Sequence, residues 1–321
     1  MKLIGYAAAL AVAAAPAFGA QSAQSFPDRP VRLIVPFTPG GAVDLVARRI
    51  AQKMSENWGQ QVMVDNRPGG GGILGYSIVA KAKPDGYTLL AASLSYAMTA
   101  ALYSKLPFDP VKDLTGVTQI VATTQLLVVP PSLGVKTVKE LIELAKHKPG
   151  QLNYGSNGIG AAMHLNSEQF RFAAGIDVVH VPYKGVPEAL VDLMTGRTHF
   201  ALSPLLPALP FIQNGKLLAV AVSTPHRTAA LPDVPTIVEA LPGYAFQSWI
   251  GLFAPTGTPR PIVEQISREV ARFVELPEVK QHMANQGEEG RSSTPEAFSK
   301  FVRAEIESTK EIVKRLGIRA E

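Results

Sequence analysis

The stretch Phe37-Thr38-Pro39-Gly40-Gly41-Ala42-Val43-Asp44 places two adjacent glycines and one acid between an apolar run at 31–36 and a segment with Val43, Val46, Ile50 and Met54 at helical spacing. It reads as a strand-to-helix turn. The first N–H groups of a helix have no intrahelical partner, the helix dipole favours negative charge there, and glycines allow a ligand to approach the backbone. The chemistry on offer is capture of a carboxylate or phosphate by main-chain donors. The alternative is a bare tight turn.

Residues suited to catalysis are sparse. Ser156 would be the nucleophile of an exported hydrolase, with Ser93 a second choice, but Tyr154 stands where a G-x-S-x-G elbow needs its first glycine. No S-x-x-K occurs, and the one Gly-Lys pair, Gly215-Lys216, is followed by Leu217 rather than Ser or Thr. His147, His164, His180, His199, His226 and His282 are single and widely spaced, with no metal-ligand pair. Gly70, Gly72 and Gly75 satisfy G-x-G-x-x-G, yet no acid lies between Asp85 and Asp109 to hold a ribose. These glycines are expected to let a helix at 73–81 approach the sheet. No cofactor and no metal is expected.

The elements that must position the turn follow from pattern. Strands at 31–36, 61–65 and 87–92 alternate with helices, which predicts a parallel sheet in an α/β fold, with Ser93 and Ser95 at the sheet edge where such sheets bind ligands. A second series begins at the apolar run 126–129. A helix opens at Thr137-Val138-Lys139-Glu140, read as a capping box, and strand 152–154 leads to Gly155-Ser156-Asn157-Gly158-Ile159-Gly160 and a helix at 161–173. The strand, small-residue turn and helix of the first series recur. Further strands are expected at 177–181, 198–202, 217–222 and 249–254, with a helix at 187–195. Helices at 261–276 and 278–286 follow, with a last one opened by Ser293-Thr294-Pro295-Glu296 as a second capping box. This divides the chain into a lobe of 21–125 with 226–321 and a lobe of 126–225, joined by two crossings around a cleft.

Composition narrows the function classes. The chain has 321 residues, 46% hydrophobic and 18% charged, enough for two lobes with real cores. Met1-Lys2, an apolar stretch to Ala15 and Pro16-Ala17-Phe18-Gly19-Ala20 read as a secretory signal over residues 1–20. Cysteine is absent, so disulfides, thiolate catalysis and a lipid-bearing N-terminal cysteine are excluded. The expectation is an exported protein, soluble after signal cleavage, and a monomer. The net charge of +5 is scattered, which suits anionic small molecules and argues against nucleic acid.

Five motifs carry a family resemblance: Pro39-Gly40-Gly41-x-x-Asp44; Asn66-Arg67-Pro68-Gly69 with Gly71-Gly72; Pro84-Asp85-Gly86-Tyr87-Thr88-Leu89-Leu90; Tyr154-Gly155-Ser156-x-Gly158-x-Gly160 with His164-Leu165; and Val181-Pro182-Tyr183-Lys184-Gly185. In this order, from about Phe26 onward, they resemble the Bug family of periplasmic solute receptors of tripartite tricarboxylate transporters. The resemblance implies a two-lobed, type II-like periplasmic binding protein fold with two crossovers. It also implies a small carboxylate ligand (a di- or tricarboxylate, an acidic amino acid or an aromatic acid) and membrane components of the transporter as partners. A receptor feeding a membrane sensor is the further alternative.

The resemblance further implies that the loops matching Phe37, Thr38, Pro39, Gly40, Gly41, Ala42 and Asp44, and Ser156, Asn157, Gly158 and Gly160, hold ligand carboxylates, largely through backbone N–H groups and water. Where relatives have Phe-Asp this chain has Leu202-Ser203, so Ser203 joins Ser93 as a candidate and an acid is lost near the cleft. Asp44 would repel an anion; the expected role is support of the helix start, with contact to a ligand amine or hydroxyl as the alternative. The second turn at Gly155 to Gly160 and the lack of a catalytic set turn the balance from bare turn to half of a clamp.

Overall fold

The computed structural model describes residues 26–320, so the expected export signal at 1–20 lies outside the described residues. In chain order the elements are β1 (Val31–Val35), α1 (Ala42–Trp58), β2 (Val62–Asn66), α2 (Ile73–Ala80), β3 (Thr88–Ser93), α3 (Leu94–Leu102), β4 (Leu114–Thr123), β5 (Gln125–Val129) and α4 (Val138–His147). They continue with β6 (Asn153–Ser156), α5 (Ala162–Ala174), β7 (Val179–Pro182), α6 (Val186–Met194), β8 (Ala201–Pro204), α7 (Leu205–Gln213) and β9 (Leu218–Val222). The last are β10 (Ser248–Pro255), α8 (Arg260–Val274), α9 (Pro277–Ala284), β11 (Glu288–Gly290) and α10 (Pro295–Leu316).

The first lobe is built on one sheet of order β11-β4-β10-β3-β1-β2. β1 pairs parallel with both β2 and β3, as the alternation of strands and amphipathic helices requires, and β10 returns antiparallel between β3 and β4. The α1 positions Val43, Val46, Ile50 and Met54 are all buried against this sheet. Gly75 confirms close approach of α2: a side-chain carbon there would stand 2.8 Å from Pro36 Cβ at the end of β1.

The second lobe holds β8-β5-β9 and the parallel pair β6-β7, linked through a bridge between Tyr154 and Phe200. The polar stretch after β9 does not leave this lobe at once. Val222 N–H donates to Pro235 O, and Ala230, Leu231 and Val234 pack on the β5, β8 and β9 core, so the chain re-enters the large sheet only at Ser248. The two crossings therefore lie side by side, at Thr123-Thr124-Gln125 and Gln247-Ser248.

Four elements carry no sequence forecast, the short β11 among them. α3 is buried on every side from Leu94 to Thr99 and shows no amphipathic stripe. α7 contains Pro207 and Pro210, which mask a helical pattern, and β4 alternates through Thr115, Thr118 and Gln119 without a long apolar run. The capping forecasts hold in part. Thr137 Oγ1 accepts Glu140 N–H, but the Glu140 carboxylate reaches Lys136 N–H rather than Thr137. At α10 the cap is Thr294, which accepts from Ala297 N, while Ser293 Oγ accepts from Gln119 N in the sheet.

Candidate functional site

The two strand-turn-helix devices face one another across the cleft. They enclose a cavity of about 30 Å³, lined by Phe37, Gly41, Ala42, Val43, Ser93, Ser95, Thr123, Gln125, Asn157, Ala162, Met163, Val186, Pro204, Ser248 and Ile250. The beginnings of four helices meet here: Gly41 and Ala42 of α1, Ser93 and Ser95 of α3, Ala162 and Met163 of α5, and Pro204 of α7. Gln125 and Ser248 come from the two crossings, so the crossings form the floor of the cavity. Among the described residues, none of the lining side chains is ionisable.

These helix starts are not equivalent. At α3 Ser93 Oγ accepts Ser95 N–H at 3.3 Å, and at α5 the hydroxyl of Ser95 accepts Ala162 N–H across the cleft at 2.9 Å. Among the described residues, α1 has Gly41 at its cap and no side-chain acceptor for its leading N–H groups. An anion placed at α1 would meet donors with no competing side-chain oxygen.

Asp44 explains how the turn before α1 is held. Its carboxylate is 2% exposed and accepts from Gly40 N–H, Arg48 Nε and Asn66 Nδ2, each at 2.9 Å. Burial pushes the Asp44 carboxyl up, but the bonds from Arg48, Gly40 and Asn66 outweigh it and hold it below the usual carboxylate range. Gly40 sits at φ 84°, where a side chain is disfavoured, and Asn66 Nδ2 also reaches Phe37 O at 3.0 Å. Asp44 thus braces the loop from behind.

Of the residues singled out from the sequence, Phe37, Gly41, Ala42, Ser93, Ser95 and Asn157 line the cavity. Thr38, Pro39, Gly40, Asp44, Ser156, Gly158, Gly160 and Ser203 are not among its lining residues. Thr38 instead closes the rim: its Oγ1 lies 3.1 Å from Glu188 Oε2 of the other lobe, and any side-chain carbon at Gly185 would collide with it. Gly158 and Gly160 shape the second turn, Gly158 N–H donating to Ser156 Oγ at 3.2 Å and Gly160 N–H to His164 Nδ1 at 3.4 Å. Ser203 is fully buried and donates to Pro204 O, so its neighbour rather than itself reaches the cavity.

Ser156 lies 2.6 Å from His180 Nε2, the geometry of a nucleophile and its base. Ser156 is fully buried behind the turn, however, and accepts the Gly158 N–H that shapes it. His180 is stacked between Tyr154 and His164, with ring centroids 4.9 and 4.2 Å away. Burial and the neighbouring His164 push the His180 imidazole down to about 3. This stack is a pair of histidines that spacing in the sequence does not reveal, because residues 164 and 180 meet only through the β6-β7 pairing. Sequence reasoning also misses Thr123, Gln125 and Ser248. The signal available was polar residues breaking apolar strands at 123–125 and 248.

Comparison with known proteins agrees with this architecture. A family model described as "Tripartite tricarboxylate transporter family receptor" matches residues 46–318. BugT of Bordetella pertussis is 33% identical over 320 residues, 99% of this chain and 97% of its own. A solved R. palustris protein with adipate is 37% identical with a TM-score of 0.89, over 92% of this chain and 99% of its own. The periplasmic binding protein BugD is 30% identical with a TM-score of 0.88, over 92% of this chain and all of its own. With this match, and with its two-lobed α/β fold, the chain belongs to the tripartite tricarboxylate transporter receptor family.

Proposed function

We propose that the protein captures a small carboxylate between its lobes and presents it to the membrane components of a tripartite tricarboxylate transporter. The observation that carries this is the convergence of helix starts on a cavity lined by no ionisable side chain, with the N–H groups of α1 left free of side-chain acceptors. The related proteins solved with adipate and with malate favour dicarboxylates as the first ligands to try. Hydrogen bonds to a charged group contribute roughly 1.5–3 kcal/mol each. Four or five of them cover micromolar binding, about −8 kcal/mol, after the costs of association.

About 30 Å³ is room for roughly two water molecules, so a four- to six-carbon acid enters and leaves by hinge motion at the paired crossings. A ligand bridging the lobes would then bias the hinge, which is how a receptor signals occupancy to a membrane partner. Among the described residues no helix is long and apolar enough to cross a membrane. The signal-like first twenty residues support an exported receptor, and the periplasm and a monomeric state are part of the proposal.

A thermal-shift screen with mono-, di- and tricarboxylates tests the assignment. Binding to the folded state alone raises the melting temperature by mass action. At least one small carboxylate is expected to do so, and failure of the whole panel would contradict the proposal.

A further inference from the structure

Among the described residues, two side-chain oxygens at the cavity are buried and without partners: Gln125 Oε1 and Asn157 Oδ1. Gln125 is 1% exposed and Asn157 8% exposed. Gln125 spends its Nε2 on Thr123 Oγ1 at 3.3 Å, which leaves Oε1 as the atom in need. An amide oxygen only accepts, and leaving it unpaired in a buried site forfeits its hydration without return. Both residues lie on the second lobe, Gln125 at the crossing into β5 and Asn157 on the turn after β6, and both line one cavity of about 30 Å³. A single small group can reach them.

The rest of the lining supplies the opposite chemistry. Ser95 Oγ accepts from Ala162 N–H and from Ser93 Oγ, which leaves its own proton to give away, and Thr123 and Ser248 add further hydroxyls. With the N–H groups of α1 these donors suit a carboxylate, which only accepts. A plain carboxylic acid therefore satisfies one half of the cavity and opposes the other. An ammonium would satisfy the two amide oxygens, but among the described residues no carboxylate lines the cavity to balance its charge, and the helix starts place positive potential there. The group that fits is neutral and carries a donor.

We propose that the acid taken by this site bears a hydroxyl group, recognised by the side-chain oxygens of Gln125 and Asn157. The inference rests on the receptor function proposed above and assigns its ligand to the hydroxycarboxylates.

The test is calorimetric titration of the mature protein with matched pairs, succinate with malate and adipate with 3-hydroxyadipate, and with aspartate as the amine analogue. In at least one pair the hydroxylated member is expected to bind about tenfold tighter or more, since the parent leaves buried acceptors unpaired. Gln125→Leu, or Asn157→Ala should the first variant not fold, is expected to cut that ratio to within about threefold, a difference of less than one hydrogen bond. Equal affinities within each pair would overturn the hydroxyl assignment while leaving the receptor function standing, and would mean that water serves the two oxygens. Aspartate binding tighter than malate would also overturn it. No binding by any acid would remove the receptor function and this inference together.

Discussion

Ser95 of the first lobe accepts the N–H of Ala162, the first residue of α5 in the second lobe, at 2.9 Å. Both residues are buried, so in the closed arrangement a helix start of one lobe is capped by a side chain of the other. Ser95→Ala leaves that N–H without its acceptor only when the lobes are together, and a buried unpaired donor costs about 1–3 kcal/mol. The expected result is a loss of roughly tenfold or more in ligand affinity, with a small change in melting temperature of the ligand-free protein. Parallel titration and thermal unfolding measure both.

Closure also depends on the absence of a side chain at Gly185, whose Cβ position collides with Thr38 Oγ1 of the opposite lobe. Gly185 has extended backbone at φ −167°, which alanine adopts without strain, so Gly185→Ala is expected to leave folding intact and to hold the lobes apart. Ligand affinity should fall, and Thr38→Gly in the same chain should restore part of it. Small-angle scattering of wild type and variants with saturating ligand reads the difference in closure. Full compaction of the Gly185→Ala protein would refute the contact's role.

Asp44 is expected to matter through the loop it braces. Asp44→Ala removes the acceptor of Gly40 N–H, Arg48 and Asn66 together. A charge-assisted bond in a buried setting contributes about 1.5–3 kcal/mol, so chemical denaturation should show a loss of this order along with weaker binding. Asp44→Asn keeps the shape and some acceptor capacity and should lie between the two.

The histidine stack predicts a pH dependence. His180 faces Tyr154, His164 and Ser156, and Glu168 beyond them is held by Tyr154 and Arg171. With His180 at about 3 in the folded state and near 6.5 when unfolded, the unfolded chain binds more protons between these values. Stability is therefore full above about pH 6.5 and falls as the pH drops toward 3, with a slope from this group of at most about 1.4 kcal/mol per pH unit. His180→Gln should flatten the profile between pH 6.5 and 4 in urea titrations. An unchanged slope would show that the stack does not govern acid stability.

The starts of α1 and α5 were legible in the sequence because their determinants are local. Glycines after an apolar strand and before an amphipathic pattern marked Phe37 to Ala42 and Asn157, and the parallel β1, β2 and β3 followed from the alternation. The hinge side of the site was not legible. Gln125 and Ser248 become neighbours of the cavity only because two crossings run side by side, a relation between residues more than a hundred positions apart. α3 escaped because burial on all sides erases the periodicity that identifies a helix. Ser203 shows how neighbouring positions diverge in the fold: its hydroxyl turns to Pro204 O, and Pro204 is the one that lines the cavity.

The central claim is that backbone donors at the start of α1 hold a ligand carboxylate between the lobes. The most direct measurement is a crystal structure of the mature protein with an acid identified by the thermal screen. A carboxylate within hydrogen-bond distance of the Gly41 or Ala42 N–H, between Ser95 and Asn157, is the predicted result. Ligand bound instead in the crevice between α5 and α10, lined by Gln169, Phe172 and Arg315, with the cleft unoccupied, would contradict it.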